Sequence, residues 1–220
     1  MNPSLNTEPK RALYILGGLS GVAGTCCYIL SIALYLNNVI LYLLAMVWAI
    51  LSIIFAFALF HYVSLERQTV ANYLAFIFAC LGFTLLAAMI SVQLAVKMGV
   101  EEFIAGSTER NEMLGLIERT IRLIDQGIDV AWDLFIGSSL LFLAFALKGH
   151  TRFRLYWSIP AALLGFLLIL FNLKTFPWPP DTQGLIDVGP FIGIYIIALG
   201  FRLLWLGIRF KNQAVKPDNS

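Results

Sequence analysis

The sequence predicts an all-α integral membrane protein with a single bundle of six transmembrane helices. Of its 220 residues, 60% are hydrophobic and only 13% are charged, whereas soluble domains carry about 25% charged residues. The mean hydropathy is +0.83. Six apolar segments are each long enough to cross about 30 Å of hydrocarbon at 1.5 Å per residue. We therefore expect one transmembrane domain over residues 1–220, with no separate soluble domain.

The six apolar segments define the expected spans, of which the fourth and fifth are the shortest. They are residues 12–36, 39–60, 73–96, 130–147, 155–173 and 188–208. Asn37 and Asn38 separate the first two spans, and a connection this short fits a helical hairpin. An even number of spans places both termini on the same side of the membrane.

The distribution of basic residues predicts which side that is. With both termini in the cytoplasm, ten of the 15 Lys and Arg residues lie on the cytoplasmic side, and ten of the 13 acids lie outside. Cytoplasmic connections of bacterial membrane proteins are enriched in Lys and Arg. We therefore expect a multi-pass protein with both termini in the cytoplasm.

The segment before the fourth span is too regular in its apolar pattern to be a simple loop. Within residues 109–128, isoleucine and leucine recur at intervals of three and four residues, the period of an amphipathic helix. They are Leu114, Ile117, Ile121, Ile124 and Ile128. The pattern predicts an extracytoplasmic amphipathic helix, which either lies at the membrane interface or runs directly into the fourth span.

Two spans carry glycines four residues apart, a spacing that lets helix backbones approach closely. The first span has Gly17 and Gly21, and the sixth has Gly189 and Gly193. These pairs predict close helix packing, either inside the bundle or at the interface of a homo-oligomer.

Asp125, Asp129 and Asp133 follow one another at intervals of four, so they share a helical face at the start of the fourth span. An acid within hydrocarbon normally faces protein or water and often marks a site. Other spans carry polar residues at a matching depth. The predicted outward-facing polar pocket comprises Asp129, Asp133, Trp132, Gln93, Asn172 and Asp187.

The pocket has two interpretations. It is either a site for a cation or a proton, or a structural feature in which Asp129 is interfacial and Asp133 caps or hydrogen-bonds a neighbouring helix. Asp187 is also suited to cap the sixth helix and face its positive end.

The sequence offers no set of catalytic residues, no metal site and no cofactor motif. Cys26, Cys27 and Cys80 lie in apolar runs and are expected to act as small packing residues. The only histidines, His61 and His150, fall at the predicted cytoplasmic edge, and two histidines are too few for a typical zinc hydrolase. No phosphate-binding loop or nucleic-acid module is present, so the expected surroundings are the lipid bilayer and a membrane-protein partner or second copy.

A resemblance covers residues 127–200, carried by "GIDVAWDLFIGSSLLFLAFAL" and "TFPWPPDTQGLIDVGPFIG". These stretches resemble a family of six-span bacterial integral membrane proteins known only as a domain of unknown function. The resemblance implies a six-helix bundle in a bacterial plasma membrane. It implies no activity and therefore assigns no catalytic residue.

Three functional hypotheses follow from the sequence. The first is a non-catalytic assembly, sensor or regulatory membrane subunit, which docks through its outer helix and the proline-rich loop at 174–187. The second is a small permease, channel or accessory transport subunit with an acidic pocket at Asp129 and Asp133. The third is an enzyme that acts on lipid, and the lack of a clear nucleophile argues against it.

Overall fold

A computed structural model describes residues 8–33, 38–106, 112–178 and 180–210, and these contain six α-helices and no strand. The helices are α1 Glu8–Ala33, α2 Asn38–Ser64, α3 Val70–Gly106, α4 Glu112–Lys148, α5 Arg154–Thr175 and α6 Gly189–Arg209. A 3-10 turn, Asp181–Gln183, lies before α6. All six helices are long and apolar enough to cross a membrane, which confirms the predicted number of spans.

Two helices extend well past the spans that the sequence predicted. Both α3 and α4 have 37 residues, so each is about 55 Å long, roughly 25 Å more than the hydrocarbon thickness. Residues 112–128 are the first part of α4, continuous through Gly127 with the fourth span. Residues 109–111 of the predicted amphipathic segment lie outside the described residues.

The helices form two groups of three. In one group α1 packs against both α2 and α6; in the other α4 packs against both α3 and α5. The groups meet mainly along α2 and α3, while α5 and α6 touch only lightly. Buried hydroxyls join the second group, since Ser139 of α4 donates to the Ala75 carbonyl of α3 at 2.7 Å and Ser158 of α5 donates to the Ala144 carbonyl of α4 at 2.7 Å.

Close contacts with the backbone of a neighbouring helix also occur at glycines outside the predicted pairs. An added Cβ at Gly18 of α1 would lie 2.6 Å from the Leu204 nitrogen of α6, and one at Gly165 of α5 would lie 2.6 Å from the Gly137 oxygen of α4. A side chain at either position would collide with backbone, which cannot move aside cheaply. Glycine is therefore what allows α1 to meet α6 and α4 to meet α5 at this separation.

The four predicted packing glycines have different surroundings. Gly17 faces Ala58 and Gly21 faces Phe55, both on α2, so the first pair lies inside the bundle. An added Cβ at Gly193 would make an ordinary contact with Thr25 of α1, at 3.4 Å. At Gly189 the nearest atoms belong to the Asp187 side chain instead of another helix.

At the end of the bundle opposite the Asp133 cavity described below, Glu66 ties the connection after α2 to the connection after α4. Its carboxylate accepts the backbone N–H of Thr151 at 2.9 Å and the Thr151 hydroxyl at 2.7 Å, and lies 3.2 Å from His150 Nδ1. Arg202 of α6 donates to the Arg152 carbonyl at 2.7 Å. The 150–152 connection of the second group is thus held at two points, by Glu66 after α2 and by Arg202 of α6.

We expect Gly18→Ala to lower the free energy of unfolding by about 1–3 kcal/mol, because the new methyl group overpacks the α1–α6 contact. Thermal unfolding in detergent measures the change. Gly127→Ala is the matched control: nothing lies within 4 Å of its added Cβ, and alanine raises helix propensity by about 1 kcal/mol. Equal stability of the two variants would contradict the close α1–α6 approach.

Glu66 predicts a pH dependence of stability. Burial raises its pKa, but hydrogen bonds from Thr151 and the nearby His150 and Arg152 outweigh burial, so the pKa lies below its ordinary value of 4.5. A carboxyl with a lowered folded-state pKa contributes stability above its unfolded pKa and loses it as pH falls through the folded one.

Glu66→Gln should therefore lose stability at pH 5.5 and approach the original protein at pH 3.5. Melting temperatures of the two proteins in detergent at both pH values measure this. A stability difference that stays the same at both values would show that the charge of Glu66 does not contribute.

Candidate functional site

The acidic face of α4 points into the bundle at the end where α1, α3 and α5 finish. Asp133 is only 5% exposed and Asp129 is half-buried, although both follow exposed residues earlier on the helix. Both side chains line a cavity of about 180 Å³, which we call the acidic cavity. The four-residue spacing is what directs both acids to the same place.

Both helix groups and the loop before α6 contribute walls to the acidic cavity. Its lining residues are Tyr28 of α1, Asp129, Trp132 and Asp133 of α4, Leu168 and Asn172 of α5, and Pro180, Asp181, Asp187, Val188 and Gly189. Asp181 and Asp187 are exposed, so the cavity connects the buried Asp133 with the surface at this end. None of these lining residues, within the part of the chain that the structure describes, is basic.

Asp133 is a buried acid without a full set of partners. Its Oδ1 has no hydrogen-bond partner among the described residues. The Asn172 side chain interacts with the carboxyl group of Asp133, and its amide also donates to the Leu168 carbonyl at 2.9 Å. The other ionisable groups that act on Asp133, Asp129 and Asp187, are also acids. Because a buried carboxylate requires compensation, this arrangement favours a cation or a proton in the cavity.

Asp187 has a structural role as well as a place in the cavity wall. Its Oδ1 accepts the backbone N–H of Gly189, the first residue of α6, at 2.8 Å. The carboxylate thus satisfies a free donor at the positive end of the helix, as the sequence suggested. The helix start fixes the acid at the rim.

A second, larger cavity adjoins the first. It has a volume of about 390 Å³ and lies between α1, α2, α3 and α4. Its wall is mainly aromatic and aliphatic, and Tyr28 stacks on Trp48 with ring centroids 4.0 Å apart. We call it the aromatic cavity. Tyr28, Asp129 and Trp132 line both cavities, so the two are separated by a shared wall of three side chains.

The structure brings together five of the six residues of the predicted pocket. Asp129, Asp133, Trp132, Asn172 and Asp187 line the acidic cavity, whereas Gln93 lines the aromatic cavity. Gln93 lies elsewhere because it donates to Asp125 Oδ2 at 2.9 Å. The amide of Gln93 therefore binds Asp125, which lies one turn of α4 further from the bundle centre than Asp129.

Sequence reasoning did not assign several residues that line the two cavities, among them Tyr28, Trp48 and Asp181. Tyr28 and Trp48 lie in uniformly apolar runs, where no periodic signal marks an aromatic side chain that faces a cavity. Asp181 directly follows the prolines of the 174–187 connection, and it reaches the cavity wall through the fold of that connection. Asp181 would have been part of the predicted pocket if the acids of the 174–187 connection had all been assigned to it.

The histidines lie at the other end of the molecule. His61 Nδ1 is 2.9 Å from the Tyr14 hydroxyl, and His150 contacts Glu66. Neither lines the acidic cavity or the aromatic cavity. Within the described residues, no group of three or more His, Cys, Asp or Glu side chains is arranged to hold a metal ion.

Comparisons of the chain with models of protein families, with curated proteins and with solved structures found no match. The resemblance to the six-span bacterial family therefore stays a prediction.

Proposed function

We propose that this chain is a small membrane permease, or the solute-binding subunit of one, that takes up a cation through its acidic cavity. One observation carries the proposal: Asp133 is buried, lacks a partner for Oδ1 among the described residues, and lines a cavity that reaches exposed acids at the surface. An acid inside a membrane helix costs about 3 kcal/mol on insertion scales. A bound cation offsets that cost.

The division into two helix groups supports transport in preference to binding alone. Both cavities at the Asp133 end lie between the α1–α2–α6 group and the α3–α4–α5 group. A third cavity, of about 60 Å³, lies between the same groups nearer the opposite end and includes Asn72, Ser139 and Tyr195 in its wall. Carriers bind their solute between helix groups and expose it alternately to the two sides as the groups rock.

The orientation is part of the same proposal. The distribution of basic residues favours a cytoplasmic position for both termini, and the sequence resemblance favours a bacterial plasma membrane, so that the acidic cavity would open outside. Its four aspartates would attract cations from the external solution before they reach Asp133.

A test of this function uses purified protein in liposomes and the uptake of ²²Na⁺, ⁸⁶Rb⁺, ¹⁴C-methylammonium and ¹⁴C-2-phenylethylammonium. We expect at least one of these cations to enter faster than into protein-free liposomes. Asp133→Asn should slow that uptake at least tenfold, because the neutral amide no longer compensates the cation.

The matched control is Asp125→Asn. Asp125 is on the same face of α4 but lines neither cavity, and an asparagine still accepts the bond from Gln93. This variant should retain its uptake rate. Equal rates for Asp133→Asn and the original protein, or no uptake of any of the four cations, would contradict the proposal.

A separate observation favours an assembly or regulatory role as the second candidate. The first part of α4, which extends past the bilayer thickness together with the end of α3, leaves apolar side chains exposed: Leu116 is 66% exposed and Ile124 is 55% exposed. A membrane-protein partner or a second copy would cover them. Leu116→Glu with Ile124→Glu should then lower the native mass of the detergent-solubilised particle, and an unchanged mass would count against this role.

A further inference from the structure

The two adjoining cavities differ in chemistry, and together they describe a ligand with two parts. The acidic cavity carries four aspartates. Beyond the shared wall of Tyr28, Asp129 and Trp132, the aromatic cavity carries Trp48 together with aliphatic side chains. A ligand that fills both presents a positive charge at one end and an apolar group at the other.

The arrangement of the acids favours an organic cation over a metal ion. Metal ions require several oxygen ligands within about 2.0–2.6 Å, and the described His, Cys, Asp and Glu side chains form no group that could supply them. Asp129, Asp133, Asp181 and Asp187 instead surround a cavity of about 180 Å³. An ammonium group can bind among carboxylates that are this far apart, because it needs only hydrogen-bond acceptors and negative charge nearby.

The aromatic cavity suits the apolar part of such a ligand. Its volume of about 390 Å³ falls within the range of small-molecule sites, which are mostly apolar with a few placed polar groups. Trp48 and Met89 are largely buried in its wall. The rings of Tyr28 and Trp132, at the boundary with the acids, also attract a cation to their faces.

We propose that the ligand is a hydrophobic organic ammonium ion, with its ammonium group between Asp129 and Asp133 and its apolar group in the aromatic cavity. The inference rests on the proposed function and adds the chemical class of the solute. Phospholipids with an ammonium headgroup share part of this chemistry, but their phosphate would lie next to the four aspartates. The ligand is therefore a free amine.

The test measures binding to the full chain, purified in maltoside detergent without other amines. The probes are methylammonium, n-butylammonium, 2-phenylethylammonium and the neutral 2-phenylethanol. Each methylene buried in the aromatic cavity should tighten binding about fourfold, so 2-phenylethylammonium should bind at least thirtyfold more tightly than methylammonium. The neutral alcohol should not compete.

Two variants separate the parts of the site. Ala45 is buried in the wall of the aromatic cavity, so Ala45→Leu fills space there without touching an acid. This substitution should weaken the binding of 2-phenylethylammonium at least tenfold and leave the binding of methylammonium unchanged. Ala88→Leu is the matched control, because Ala88 is exposed on α3 and lines neither cavity. If Ala45→Leu lowers the melting temperature, Ile90→Phe, a second filling substitution in the same wall, replaces it.

The outcomes distinguish this inference from the proposed function. If Asp133→Asn abolishes methylammonium binding but chain length and Ala45→Leu have no effect, the acidic cavity binds cations and the organic class is wrong. If Asp133→Asn binds every probe as tightly as the original protein does, the proposed function fails as well. Competition by added phosphatidylethanolamine would overturn the assignment to a free amine.

Discussion

The structure depends on the constraint that a carboxylate in the interior of a membrane bundle must be compensated. Asp133 lies about one turn further into the bundle than Asp129, where lipid and apolar side chains offer no hydrogen bonds. The chain surrounds it with the Asn172 amide and a cavity that carries three further aspartates, instead of an arginine or lysine. A purely structural acid would be expected to have a basic partner or a helix end. Asp187 has such a helix end as its partner, because its carboxylate accepts the backbone N–H of Gly189 at the start of α6.

The cavities follow from uneven packing between the helices. Within each group, glycines bring backbones into contact, at Gly18 and Gly200 between α1 and α6 and at Gly137 and Gly165 between α4 and α5. Between the groups, aromatic side chains such as Trp48 and Phe83 keep the helices further apart. Two tightly packed halves with a looser seam form a structure in which the seam can open with little loss of packing inside either half.

The sequence predicted the number of spans because hydropathy over about 20 residues is an additive, local signal. It also predicted which acids share a face, because helical spacing alone decides this. Helix ends were less predictable: α3 continues to Gly106 and α4 begins at Glu112, since helix propensity and mutual packing extend both helices beyond the apolar stretch.

The differences between the predicted and the observed site residues share one cause, which is contact with side chains on other helices. Gln93 has the right depth for the acidic cavity, yet Asp125 holds it at the aromatic one. Tyr28 enters the site because α1 faces α4 across the two cavities at this end, and nothing in the run "CCYIL" indicates this. Close contacts at Gly18 and Gly165 were likewise hidden, because neither glycine belongs to a pair spaced by four residues.

The central claim, that water-borne cations reach the cavity beside Asp133, is tested most directly by thiol labelling. In a protein whose three native cysteines are replaced by serine, Leu168→Cys places a thiol in the cavity wall, and Gln183→Cys, on the exposed loop, serves as the reference. We predict that a cationic methanethiosulfonate modifies the cavity thiol at least tenfold faster than an anionic one, relative to the loop thiol. A cavity thiol that reacts with neither reagent, or with both at the same relative rate, would contradict it.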